Sequence, residues 1–196
     1  MHETTVIVRV KNEENWIGHS IQSIIDYVIK PKILIINNQS VDSSITIAKL
    51  FQHDTSRAYS DRYADIDIIN INEYSPGRAI NLAVQEVTTD SLLLLSSHCE
   101  ITSYSVDLVE KHLHSHVAVF GKQIPRYFGK RIIPRYIWSH YGEEQKINMF
   151  SKLENRYFLH NAFCAYNTKY LKENPFNGLE NENFVLGYDT DPDDPD

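Results

Sequence analysis

Apolar residues over the first 123 positions alternate between two periodicities. Short runs rich in β-branched residues read as strands: "TTVIVRV" (4–10), "KILIIN" (32–37), "DIDIINI" (65–71), "SLLLLS" (91–96) and "VAVFGKQ" (117–123). Between them, Ile17, Ile21, Ile24, Ile25 and Val28 recur at helical spacing until Pro31 stops the helix. A second helix runs to about Phe51, with Asp42 placed to cap it. "GRAINLAVQEV" (77–87) and "SVDLVEKHL" (105–113) supply two more. "KILIIN" and "SLLLLS" are apolar nearly throughout, as strands covered on both faces are. Strand alternating with helix predicts parallel strands joined by crossover helices, an open Rossmann-like α/β sheet. Beyond residue 123 the pattern blurs. "QIPRYFGKRIIPRYIWSHYGEEQK" is basic, aromatic and broken by prolines, and reads as a lid or acceptor wall. "HNAFCAYNTKYLKENPF" (160–176) returns to a strand and a helix.

This architecture places a ligand before any motif is named, because open α/β sheets bind beyond the carboxyl ends of their strands. Those ends are "KNEE", "NNQSVD", "YSPGR" and "SSHCE". Each alone is an ordinary turn. Four polar, donor-rich turns at one edge favour a site.

Composition changes this picture only at the margins. The 196 residues suit a single domain, taken as 1–188, divided into halves at 1–123 and 124–188. The net charge of -7 is concentrated in the tail "DTDPDDPD" (189–196), which reads as disordered. The remainder is near neutral and carries no electrostatic footprint for nucleic acid. No apolar run spans a membrane, no signal-peptide pattern opens the chain, and Cys99 and Cys164 form no disulfide framework, so a cytoplasmic location is expected. The basic aromatic stretch Arg126–Trp138 leaves peripheral membrane association open. His112, His114 and His116 spell HxHxH across a helix end and read better as solvated histidines than as a metal site. A GxSxG elbow and a GxGxxG turn after the first strand are both missing, which removes serine-hydrolase and dinucleotide readings.

Taken in order, "TVIVRVKNEENWIGHSIQSI", "ILIINNQSVDSSITIAKLF", "YSPGRAINLAV", "LLLLSSHCE", "VFGKQIP" and "HNAFCAYNTKYLKENPFNGLENEN" resemble the family 2 glycosyltransferases of the GT-A fold. The resemblance is closest to the rhamnosyltransferase-like branch. It implies an inverting transfer of sugar from a nucleotide-diphosphate donor to a glycan or lipid-linked acceptor, in cell-surface polysaccharide synthesis. It also implies that residues 1–123 are the nucleotide-binding half and 124–188 the acceptor half, and it implies a site. Asn12, Glu13 and Glu14 form the first nucleotide-contacting loop, with Asn12 and Glu14 as its contacts. Asn37 and Asn38 stand where aspartate usually meets the nucleoside. Arg78 and Asn81 border the donor pocket. Ser96, Ser97 and His98 occupy the Asp-x-Asp position that holds a divalent metal, and Glu180 and Asn181 occupy the "Glu-Asp" motif of the catalytic base.

The departures from that pattern all remove carboxylates. Asn37 and Asn38 keep the shape of aspartate and still hydrogen-bond a base. A neutral His98 imidazole is a poor ligand for Mg²⁺ and an acceptable one for Mn²⁺, and it could also meet the diphosphate without metal. Asn181 cannot accept a proton, so Glu180 is the expected base, with Glu182 its rival. The family's chains continue past this motif, which leaves a shortened variant, a minimal domain or a degenerate copy open. The competing expectation is a GT-A-fold nucleotide-sugar-binding or scaffold protein that has lost its acids.

Overall fold

A computed structural model describes residues 3–52, 64–127, 130–131, 146–151, 155–157 and 159–177. The first part of the chain folds as its periodicities dictate. Strand β1 (Thr4–Val10) leads into helix α1 (Ile17–Tyr27), then β2 (Pro31–Asn37), α2 (Ser44–Lys49), β3 (Asp65–Asn70), α3 (Pro76–Glu86), β4 (Ser91–Ser96) and α4 (Val106–Leu113). β5 (Ala118–Phe120) follows, then the short hairpin strands β6 (Arg126–Tyr127), β7 (Lys130–Arg131), β8 (Phe150–Ser151) and β9 (Arg156–Tyr157). β10 (Phe163–Asn167) and α5 (Thr168–Glu173) close the described chain.

Alternation along the strands sorts side chains into two cores. Val6, Val8, Val10, Ile33, Ile35, Leu93 and Leu95 pack against Ile17, Ile21 and Ile24 of α1, Ala48 of α2 and Leu113 of α4. On the other face Ile7, Leu34, Ile36, Leu92 and Leu94 meet Ala79, Ile80, Ala83 and Val84 of α3 and Leu171 of α5. The four leucines of β4 therefore serve both layers, and each such burial stabilises the fold by about 1.5–3 kcal/mol.

The strand order is β3-β2-β1-β4-β10-β5. β3, β2, β1 and β4 pair in parallel, as expected. The other side of the sheet departs from the sequence expectation. β5 does not extend the parallel array beside β4; β10 inserts between them and runs antiparallel to both. Gly121 makes the close approach there feasible, because a Cβ at that position would lie 2.4 Å from the Phe163 ring. β10 also carries part of the expected acceptor half into the centre of the sheet, with Cys164 and Tyr166 fully buried.

Helix starts follow local chemistry. Ser75 caps α3 by accepting from Arg78 N–H at 3.2 Å, with Pro76 in the first turn. Ser105 and Asn167 cap α4 and α5 in the same way. Asp42 was expected to cap the second helix, and its Oδ1 does accept the first amide of α2, Ser44 N–H, at 2.9 Å; the cap position itself is held by Ser43, which makes no side-chain cap bond, and α2 ends at Lys49 short of Phe51. Asp42 also ties two loops together at the sheet edge.

Candidate active site

The carboxyl edge of the sheet is built by loops that bind each other. Residues 11–16 after β1 lie against residues 38–43 after β2. Asn12 Oδ1 accepts from Val41 N–H (2.9 Å) and Glu14 Oε2 from Ser43 N–H (3.0 Å). In return, Asn12 N–H donates to Ser40 Oγ (3.1 Å), Glu13 N–H to Ser44 Oγ (2.7 Å) and Glu14 N–H to Asp42 Oδ2 (2.9 Å). Asp42 Oδ1 also takes the Ser44 N–H and hydroxyl. Burial works against the charged Asp42 carboxylate, but these donors outweigh it and hold its pKa below the usual carboxylate range. Asn12 and Gln39 adopt left-handed backbone (φ 54° and 49°), a conformation that asparagine tolerates better than most residues. These hydrogen bonds fix the relative position of the two loops.

Asn37 and Asn38 close the edge toward β3, and both are buried. Asn37 Oδ1 accepts from Ser40 N–H at 3.0 Å, and its Nδ2 donates to Asn70 Oδ1 at 2.8 Å. Asn38 N–H donates to Val10 O. At this position the amide does what aspartate could not, donating across to a second amide while accepting from the loop. Asn70 escaped the sequence reading. It ends the third strand in register with Asn37, so matching strand-end asparagines were the signal that could have found it.

His98 sits at the corner of a tight turn closed by Cys99 N–H to Ser96 O (2.9 Å), directly after β4. Ser97 is buried in that turn, and Ser96 N–H is engaged by Ala162 O. The His98 Nδ1 lies 3.2 Å from Glu13 Oε1. An ionised carboxylate only accepts, so Nδ1 carries the proton and the neutral ring's lone pair falls on Nε2. In sequence, Glu13 reads only as a member of the first nucleotide-contacting loop, between Asn12 and Glu14; its reach to the β4 turn is a finding of the structure.

Arg78 and Asn81 sit on α3. The Arg78 guanidinium donates to Glu73 Oε2 at 3.0 Å in an exposed pair worth little to stability. Asn81 faces the end of the described chain, donating to Phe176 O (2.8 Å) and accepting from Phe176 N–H (2.9 Å). Beneath the edge on the α3 side, Arg9 donates to the Tyr74 hydroxyl (3.4 Å) and the buried Tyr166 hydroxyl donates to Asn161 Oδ1. Glu180 and Asn181 lie outside the described residues, as does most of the basic aromatic stretch.

The residues that could hold a divalent ion are few. Among the described residues no group of three His, Cys, Asp or Glu side chains converges. His98 with Glu13 behind it still fits such an ion, because a carboxylate on the far nitrogen orients and strengthens a ligating imidazole. The HxHxH histidines do not assemble a site: His114 and His116 place Nδ1 on the carbonyls of Glu110 and His112. Burial pushes the Cys164 thiol well up, which makes it a packing residue.

His160 precedes β10, and Gln123 Nε2 donates to its Nδ1 at 2.6 Å. Burial lowers its pKa from 6.5 to about 4. Below pH 6.5 the unfolded chain takes a proton that the folded chain refuses until about pH 4. This contribution to stability is full above 6.5 and is lost as the pH falls toward 4, by about 3 kcal/mol. Denaturant titrations at pH 7 and pH 4 should show that loss in the wild type and a smaller one in His160→Gln; equal losses would contradict it.

Comparison with known proteins bears on what this edge does. The family model described as glycosyl transferase family 2 matches residues 5–174. No curated protein matches the chain. Among solved structures, Staphylococcus aureus TarS 1–349 superposes with a TM-score of 0.63 at 16% identity, covering 90% of this chain and 50% of that one. Its complex with UDP-GlcNAc gives 0.62 at 18% identity, over 88% of this chain and 47% of that one. The mannosyltransferase PcManGT from Pyrobaculum calidifontis, in complex with GDP-Man and Mn²⁺, gives 0.60 at 13% identity, over 90% and 48%. The chain thus spans about half the length of these structures and shares their fold. A mixed α/β sheet flanked by helices, with donor-rich loops at its carboxyl edge and the family match across most of its length, makes this chain a glycosyltransferase of family 2 with the GT-A fold.

Proposed function

We propose that the chain transfers a sugar from a nucleoside-diphosphate donor to a glycan or lipid-linked hydroxyl, with inversion, in polysaccharide synthesis. The observation that carries this reading is the braced carboxyl edge, where the 11–16 and 38–43 loops and the His98–Glu13 pair face one side of the sheet. The nucleoside lies over the two loops, whose mutual hydrogen bonds hold Asn12, Glu14, Asn37 and Asn38 in place before it arrives. An amide can make up to four hydrogen bonds, so the two that Asn37 makes inside the protein do not exhaust it. Arg78 exchanges Glu73 for the diphosphate, and Ser96, Ser97 and His98 line its approach. His98 would hold a divalent ion, Mn²⁺ in preference to Mg²⁺, which would supply positive charge against the diphosphate.

The transfer is a single displacement. The acceptor oxygen forms a bond to the anomeric carbon as the bond to the diphosphate oxygen breaks, and the electron pair leaves with the nucleoside diphosphate. Glu180 takes the acceptor's proton. Residues 1–188 act as one transferase unit in this reading, and the rhamnosyltransferase-like branch is its expected place within the family. Among the described residues no helix is long and apolar enough to cross a membrane.

One observation favours a second reading. Asn12, Glu14 and Asn37 are engaged within the protein, which also suits a binding protein that no longer turns over its donor. Calorimetric titration with UDP, GDP and dTDP, with and without Mn²⁺, followed by assay of the matching sugar donors, separates the two. Binding with turnover supports transfer, binding without turnover supports the second reading, and no binding by any nucleotide defeats both.

A further inference from the structure

The end of β3 is tied to the end of β2 and the loop that follows it. Ile71 N–H donates to Asn37 O at 3.0 Å, Gln39 Nε2 donates to Asn72 O at 2.9 Å, and Asn37 Nδ2 donates to Asn70 Oδ1 at 2.8 Å. The last of these bonds has a direction that one backbone group dictates. Ser40 N–H, 3.0 Å from the Asn37 side chain, only donates, so the Asn37 oxygen is the atom that faces it. The Asn37 nitrogen is thereby turned toward β3. That nitrogen in turn only donates, so the Asn70 oxygen stands opposite it. The Asn70 nitrogen is left on the far side of its own amide. Asn37 is buried and Asn70 is exposed, and among the described residues the Asn70 Nδ2 meets no acceptor.

We propose that Asn70 is a specificity-determining residue: it offers its amide N–H groups to the nucleobase and selects a base that carries a carbonyl oxygen where a competitor carries an amino group. The inference rests on the nucleoside lying over the loops after β1 and β2, since Asn70 ends the neighbouring strand in register with Asn37. Uracil and cytosine are alike in size, but at C4 uracil has an oxygen that accepts and cytosine an amino group that donates. Hypoxanthine and adenine differ in the same way at C6. Facing a donor, the carbonyl gains a hydrogen bond, whereas the amino group sets two donors against each other and leaves both unsatisfied. The amide at position 37 sets this polarity. A carboxylate there would accept from both sides, draw the Asn70 nitrogen inward and turn the Asn70 oxygen outward. The same Asn70 would then suit an amino-bearing base.

The test is a ratio of affinities, UDP to CDP and IDP to ADP, measured by calorimetry on the full chain. Ribose and diphosphate are common to each pair and cancel from it. In whichever pair binds, the wild type should favour the carbonyl-bearing member by about 10-fold, one hydrogen bond made against donors left unsatisfied. Asn70→Asp keeps an oxygen toward Asn37 Nδ2 and presents a second oxygen outward, so the preference should reverse. Asn37→Asp should move the ratio the same way, and Asn70→Ala should bring it to about 1. Retained binding of one member of the pair shows that each variant is folded, and a purely structural role for Asn70 would leave the ratio in place. A wild-type ratio near 1, or a preference that survives unchanged in Asn70→Asp and Asn70→Ala, overturns Asn70 as the selector and leaves the transferase reading standing. Failure of every nucleoside diphosphate to bind the wild type defeats both.

Discussion

Glutamine at position 180 is expected to lower sugar transfer by about 10²- to 10⁴-fold, the usual contribution of a positioned general base. The substitution keeps the volume and hydrogen-bonding shape of the side chain and removes only its ability to take a proton. In the proposed function donor binding is made at the loops after β1 and β2, so the nucleoside-diphosphate dissociation constant should not move. The pair Glu180→Gln and Glu182→Gln distinguishes the two carboxylates that flank Asn181, with the larger loss assigned to Glu180. Steady-state rates with saturating donor check the prediction. A Glu180→Gln enzyme at wild-type speed, or an equal loss in Glu182→Gln, would remove Glu180 from the mechanism.

Loss of the His98 imidazole should have the next largest effect. His98→Ala removes the imidazole that the proposed function sets against the diphosphate, and affinity for the nucleoside diphosphate should drop by about 10- to 100-fold, with any Mn²⁺ requirement abolished. Glu13→Gln tests the pair from the other side. The amide can still meet Nδ1, at 3.2 Å in the native pair, but it no longer supplies the negative charge that fixes the proton on that nitrogen. Its expected effect is smaller and in the same direction. The double variant should be no worse than His98→Ala alone, because Glu13 acts here only through the ring. Calorimetry on the three proteins decides the matter; additive losses would mean that Glu13 meets the ligand independently.

The fold was legible wherever one element carries its own period. Ile17, Ile21 and Ile24 marked α1 and its buried face, and "KILIIN" and "SLLLL" declared strands covered on both sides. The place of β10 was not legible. "FCAYN" reads as a strand anywhere, and nothing local in it says that its neighbours are β4 and β5 or that it runs against them. Partner choice is a property of the sheet. The site divided along the same line. Strand-end position brought Asn12, Glu14, Asn37, Asn38 and His98 to one edge, because topology alone guarantees that. The bonds that those groups make depend on register, such as Asn37 facing Asn70, or on loop reach, such as Glu13 to His98. Asn81 shows the limit most clearly, since its partner Phe176 lies 95 positions away.

The strand order also sets a clock during synthesis. β1 to β4 can pair as soon as Ser96 has left the ribosome, but the next strand beside β4 is β10, whose last residue, Asn167, comes 71 positions after Ser96. At about 5–20 residues per second, that interval leaves the leucine-rich margin of β4 without its neighbour for about 4–14 s. An apolar strand margin waiting that long is an invitation to pair with a second nascent chain. Slow translation between codons 121 and 162 should therefore lower the yield of folded protein more than the same delay placed before codon 91.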